Sequence, residues 1–358
     1  MNYYIKENKV NSLSSQTAWS KAREDAGQIC ASLGFSPVCV MPAEMNRTDI
    51  SLPQKIRQHF VAGKLWSGQL KTLREGDELL IQLPVINNCL YLAQILADAK
   101  KRGVKLIALV HDLEMLRMEK DKNMKLRTRA RMWIEEKSVL KLCDRVIVHN
   151  HKILRYMEDC GLPGTKMTEL GIFDYLIPEE VFSDALQNRK PDFSGRMIVA
   201  GNLSPEKAGY VYNVPENVHL NLYGVYYKNN DRTNLHYHGS FAPEELPLHL
   251  HGSFGLVWDG PSAETCTGPY GEYLRYNNPH KTSLYLACGI PVVIWKEAAL
   301  AQFVEREKVG ITAGSIAEAA RKISEISEET YLEYLNNAQM MSEKLRCGSF
   351  LAEAIADR

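Results

Sequence analysis

The stretch "NNPHKTSLYLACGIPVVIW", residues 277–295, joins a helix to a buried strand, and that joint decides how the rest of the chain is read. Asn278 has a side-chain oxygen able to accept a free backbone N–H, and Pro279 suits the first helical position, where no N–H partner is needed. Gly289 closes the helix in the left-handed position that glycine takes most readily. The spacing therefore predicts a helix over 279–288. The following "IPVVIW" (290–295) is apolar on both faces, as a strand inside a covered parallel sheet must be. Lys281 falls in the first turn, where unpaired N–H groups already carry partial positive charge. A cation there opposes the dipole unless an anion is present, so the helix start is a candidate phosphate or diphosphate site. The plainer reading is a solvated lysine next to a surface histidine, His280.

The same alternation runs outward through the chain. Apolar strands are predicted at 1–7, 36–42, 77–85, 104–112 and 144–150, and helices at 17–33, 88–102, 131–142 and 151–160. "LIPEEVFSDALQNRKPDFSG" (176–195) is polar, carries two prolines and reads as a linker. Strands then resume at 196–203, 218–224, 253–260, 290–295 and 309–314, and helices over 316–327 and 329–346 finish the chain. Continuous β-branched runs separated by helices imply parallel sheets covered on both faces. Two doubly wound α/β domains are expected, with ligands beyond the carboxyl ends of the strands and the site in the cleft between the sheets.

Composition narrows the function. The chain has 358 residues, 43 Lys+Arg against 43 Asp+Glu, so whole-surface binding to nucleic acid is not expected. Its eight cysteines form no C-x-x-C pair and read as reduced thiols rather than zinc ligands. The first residues are too polar for a signal peptide and no apolar run reaches the length of a membrane span, so a cytoplasmic protein is expected. "RMEKDKNMKLRTRARMW" (117–133) holds seven basic and two acidic residues. It reads as a solvated face, or as attraction to anionic lipid at the inner face of a membrane.

Residues just past predicted strands are the candidates for chemistry. In "VAGNLSPEKAGY" (199–210) a strand ends in Gly201-Asn202 and Lys207 follows, placed to meet a phosphate opposite Lys281. Glycine there lets the backbone approach a ligand closely, although a strand–glycine turn is also common. No G-x-G-x-x-G follows either first strand, which argues against a nicotinamide dehydrogenase. "SLSSQTAWS" (12–20) offers hydroxyls to a phosphate or sugar, or ordinary helix caps. His111 and Asp112 follow the strand at 104–112, where either is a candidate general base or part of a turn. "TGPYGEYLRYNN" (267–278) sets Tyr273 and two further tyrosines beside Glu272 and Arg275, suited to a sugar or to packing. Asp259 ends the strand at 253–260. No D-x-D triplet occurs, so no metal or other cofactor is expected, and lysines with a helix end would neutralise a diphosphate.

"FGLVWDG" (254–260), "GEYLRYNNPHKTSLYLACGIPVVIW" (271–295) and "VGIT" (309–312), in this order and spacing, resemble the two-domain GT-B glycosyltransferases of bacteria. The likeness is greatest to the β-galactofuranosyltransferase-like family that builds surface polysaccharides. Glucosyltransferases that extend O-linked GlcNAc on serine-rich adhesins show a similar layout. The resemblance implies a GT-B fold, two Rossmann-like domains facing across a cleft. Residues 1–178 would bind the acceptor, residues 179–335 the nucleotide sugar, and a C-terminal helix in 336–358 would cross back to the first domain. It implies a UDP-sugar donor held by Thr17, Lys207 and Lys281; the candidates read from the strand ends and the helix start, Gly201, Asn202, Asp259, Tyr273, Asn278 and His280, are expected around it. The acceptor would be a glycan or lipid-linked glycan, and a homo-oligomer is expected. Many retaining GT-B enzymes carry glutamate five residues before the helix-ending glycine. Leu284 stands there in this chain, which points to inversion. The expected activity is galactofuranosyl transfer by one displacement, with His111 or Asp112 as base. The alternatives are glucosyl transfer to GlcNAc-modified protein, a non-catalytic nucleotide-sugar-binding module, or a sugar-nucleotide epimerase.

Overall fold

The structure is a computed structural model and describes residues 1–7, 18–41, 51–86, 89–117, 135–182 and 189–357. The chain divides into two compact units. The first gathers Met1–Ser15, Ala26–Leu170 and Ala352–Arg358, the second Gln16–Asp25 with Gly171–Leu351. Contacts thus change unit at Leu170/Gly171.

The first unit is built on six parallel strands: β1 (Asn2–Glu7), β2 (Ser36–Val40), β3 (Glu78–Leu83), β4 (Lys105–Val110), β5 (Arg145–Val148) and β6 (Met167–Glu169), in the order β2-β1-β3-β4-β5-β6. The central strand β4 is buried at every position after Lys105. That burial on both faces is why its sequence shows no alternation. The second unit repeats the plan with β7 (Met197–Asn202), β8 (Leu220–Val225), β9 (Leu235–Tyr237), β10 (Phe254–Val257), β11 (Val292–Trp295) and β12 (Gly310–Ala313), ordered β12-β11-β10-β7-β8-β9 and again all parallel. One apolar core runs through it, from Ile198 and Leu222 to Val293, Trp295 and Ala319.

Helix ends follow local chemistry. Ser315 and Ser327 accept the Glu318 and Thr330 N–H groups and start the helices Ile316–Glu325 and Glu328–Arg346. Glu328 and Glu329 then sit in a first turn and Lys344 and Arg346 in a last turn, complementing the helix dipole.

Several details can be set against the sequence reading. A helix, Leu52–Leu70, occupies a stretch for which no element was predicted. The three-residue β9 was also missed. The helix predicted at 329–346 is found as Glu328–Arg346, and a separate helix, Ser349–Ala356, follows it. The Arg145 guanidinium holds its end, donating to the carbonyls of Ala354 (2.8 Å), Ile355 (3.0 Å) and Asp357. The helix of the opening stretch runs His280–Ala287, with Pro279 at the cap position. Asn278 stands one residue ahead of that position, and its Nδ2 donates to the Gly171 carbonyl at 2.9 Å. Gly289 closes the helix at φ +66°, as the sequence predicts. All eight cysteines are free thiols. Among the described residues no helix is long and apolar enough to cross a membrane.

Candidate functional site

In the second sheet the strand order reverses direction between β7 and β10, the crevice where doubly wound sheets take ligands. These two strands pair only at Phe254–Met197 and Gly255–Ile198. Further along, the Ala200 N–H donates to the Tyr285 hydroxyl at 2.8 Å. The Tyr285 ring is fully buried and lies so close over Gly255 that a Cβ there would fall 2.2 Å from ring carbons. Tyr285 therefore seats the helix His280–Ala287 on β10 and points that helix's first turn to the carboxyl side of the sheet.

Two loops meet that turn. The Gly260 N–H, after β10, donates to the Lys207 carbonyl at 2.7 Å, and the Tyr210 N–H, after β7, donates to the Gly260 carbonyl at 3.1 Å. Gly260 has φ +111°, and a Cβ would stand 2.2 Å from the Thr267 carbonyl oxygen, so no other residue fits this crossing. Lys281 closes the arrangement. Its Nζ donates to Asp259 Oδ1 at 2.7 Å and to the Trp258 carbonyl at 2.9 Å. The two charged side chains are 14% and 9% exposed. Asp259 thus supplies the counter-charge that a lysine in a helix's first turn requires. Two of the three ammonium protons are engaged.

The other predicted residues of this unit have the following surroundings. Gly201 and Asn202 end β7 exposed. The Asn202 Oδ1 accepts the Ser204 N–H at 2.8 Å and shapes the loop. The Lys207 Nζ lies 5.3 Å from the centre of the Tyr270 ring. His280 packs on Phe173 and Tyr175, with ring centres 5.6 and 5.7 Å away. Tyr273 is buried, and its carbonyl accepts the Tyr276 and Asn277 N–H groups, so it supports the loop from within. Leu284 is buried in the core of the unit.

One feature of the site escaped the sequence reading. Tyr226, just past β8, has φ +64° and is 70% exposed. A left-handed backbone at a non-glycine residue is uncommon, and Tyr226 directly follows Val225, which pairs with Asn202 at the end of β7. The next residue, Tyr227, stacks on the Tyr212 ring at 5.9 Å and meets the Tyr237 ring, tilted, at 4.8 Å. The only signal in sequence is "GVYYKNND", which reads as a strand tail.

In the first unit, His111 follows β4 and is buried, its Nε2 2.7 Å from the Gln82 Oε1. Asp112 is partly exposed, 3.7 Å from the Arg117 guanidinium. His149, fully buried at the end of β5, has its pKa pushed down to about 4 by burial, despite hydrogen bonds to the backbone of Val110 and His111. Glu136 accepts the Glu114 and Met115 N–H groups, both at 2.9 Å. Burial pushes its carboxyl up to about 7. Thr17 and nearly all of the basic stretch 117–133 lie outside the described residues.

Two all-parallel doubly wound units on one chain define the GT-B class of glycosyltransferase fold. Sucrose-phosphate synthase of Thermosynechococcus elongatus shares it with a TM-score of 0.64 at 12% identity, over 99% of this chain and 97% of that one. Residues 2–172 match the N-terminal domain, and residues 197–358 the C-terminal domain, of the glucosyltransferase 3-like family. The chain is 32% identical to the β-1,6-galactofuranosyltransferase WbbI of Escherichia coli K12, over 96% of this chain and 95% of that protein. It is 22% identical to glucosyltransferase 3 of Streptococcus parasanguinis, over 100% and 98% of the two chains. The chain belongs to the glucosyltransferase 3-like family of glycosyltransferases.

Proposed function

We propose that this protein transfers galactofuranose from UDP-galactofuranose to a sugar of a growing surface glycan, with inversion at the anomeric carbon. The observation that carries the reading is the lysine in the first turn of a helix at the β7/β10 crevice, clamped by Asp259 and by the Trp258 carbonyl. The ammonium keeps both acceptors and offers its third proton to a diphosphate oxygen. Lys207, on the adjoining loop, adds a second charge, and the exposed Tyr226 ring offers a face on which a planar base would stack. The choice of sugar rests on the relatives: identity is 32% to the galactofuranosyltransferase and 22% to the glucosyltransferase. Inversion rests on Leu284.

In the proposed reaction the acceptor hydroxyl attacks the anomeric carbon. His111 or Asp112 takes its proton, and the carbon–oxygen bond to UDP breaks with the electron pair leaving on the diphosphate. Lys281, Lys207 and the helix start stabilise that charge, a type of contribution that is usually a large catalytic term. No metal is invoked. The test is a transfer screen, read by mass spectrometry. UDP-galactofuranose, UDP-galactopyranose and UDP-glucose are offered with galactose-, glucose- and GlcNAc-terminated acceptors, with and without EDTA. The expected result is galactofuranosyl transfer indifferent to EDTA. Glucosyl transfer to a GlcNAc acceptor would replace the donor and acceptor, and UDP binding without any product would refute an enzymatic role.

A further inference from the structure

The helix Leu52–Leu70 turns Ala62, Trp66 and Leu70 inward, each no more than 2% exposed. Its outward side is not polar. Ile56 is 52% exposed, Phe60 51% and Val61 42%. At about 100° per residue these three share one arc of roughly 140° with Arg57 and Lys64, both exposed. The Lys64 ammonium lies 4.7 Å from the centre of the Phe60 ring. The patch widens at the neighbouring segment, where Leu90 and Tyr91 are 45% and 42% exposed. Tyr91 lies against the helix, its ring 3.2 Å from where a Cβ on Gly63 would stand. The helix itself carries charge of a single sign. Residues 50–74 hold five Lys or Arg and no Asp or Glu.

Singly exposed apolar side chains are ordinary, but three on one helix arc with two beside them form a patch. We propose that this face is where the protein seats on an anionic lipid bilayer. Aliphatic and aromatic side chains enter the boundary between headgroups and acyl chains, and Arg57 and Lys64 meet lipid phosphates. A helix that mixes cations with exposed apolar residues and lacks anions has the composition of an interfacial helix. A protein partner is a poorer fit, since lysine is depleted at the centre of protein interfaces. Self-pairing of this face would set the cations of one helix against those of its copy. The proposal rests on this surface alone and is independent of which sugar is transferred.

The test is co-sedimentation of the full chain with vesicles of phosphatidylcholine, alone or mixed with phosphatidylglycerol. Binding is expected only to the mixed vesicles and is expected to weaken as salt rises. Removing one cation, by Arg57→Gln or Lys64→Gln, should weaken binding about fivefold. Phe60→Ser should weaken it while leaving the melting temperature unchanged, because Phe60 faces solvent. In Phe60→Trp, emission from the new tryptophan should shift to shorter wavelength on mixed vesicles alone. Equal binding to both vesicle types, or wild-type binding by the folded Phe60→Ser and Lys64→Gln variants, overturns the proposal. So does concentration-dependent dimerisation in ultracentrifugation that Phe60→Ser abolishes, which would assign the face to a second copy of the chain.

Discussion

Lys281 carries two burdens that can be separated experimentally. It neutralises a carboxylate that is largely buried, and in our reading it also meets the diphosphate. Removing one partner of a buried pair strands the other and costs up to about 3–5 kcal/mol, less where water still reaches the pair, as here. A Lys281→Met variant is therefore expected to melt lower than wild type, and loss of turnover in it would prove little alone. The double variant Asp259→Asn/Lys281→Met removes the stranded charge. We expect it to regain most of the lost melting temperature and still turn over about 10²–10³-fold more slowly than wild type. The measurement is kcat beside the thermal midpoint for the two variants. If the double variant recovers activity together with stability, Lys281 is structural and the diphosphate is held elsewhere.

At the scale of elements, the orientation of the helix His280–Ala287 depends on Tyr285 as much as on its cap. In Tyr285→Phe the Ala200 N–H, buried between β7 and β10, loses its 2.8 Å partner. We expect a loss of about 1–3 kcal/mol in stability from that unsatisfied donor, measured by denaturant unfolding. A variant as stable as wild type would mean that another acceptor moves in. This contact also shows where sequence reading stops. The strands were legible because burial on both faces leaves unbroken apolar runs, and "VKLIALVHD" and "IPVVIW" admit few other readings. The lysine in the first turn was legible because its sign opposes the dipole. What stayed hidden is non-local. Asn278 looks like a local cap, yet its amide also donates to Gly171, 107 residues earlier. Asp259 stands 22 residues from the lysine that it pairs with. Tyr226 depends on a left-handed backbone that no residue type in "GVYYKNND" requires. The helix Leu52–Leu70, with Pro53, Gly63 and Gly68 and apolar residues on its outer side, lacks the single stripe from which periodicity is read.

At the scale of the molecule, two units with separate sheets give ligand binding an address. In our reading UDP alone meets Lys281, Lys207 and the Gly201–Asn202 turn, all within the second unit. A ligand that binds only the folded state stabilises it by about 2.7 kcal/mol at a free concentration one hundred times its Kd. Amides that exchange only when the second unit unfolds should then slow about a hundredfold, since exchange follows the free energy of the opening that exposes them. The strongest local effect is expected at Gly201–Lys207, Trp258–Gly260 and the first turn of the helix His280–Ala287. Amides of β3 and β4, in the first sheet, should exchange at their original rate. Hydrogen exchange read by mass spectrometry, with UDP and without, resolves these segments. Protection centred on the first sheet, or none around Lys281 at saturating UDP, would remove the site from the crevice between β7 and β10. Protection there that vanishes in the Asp259→Asn/Lys281→Met variant would tie the address to the one lysine whose place in a helix's first turn, opposing its dipole, first called for an anion.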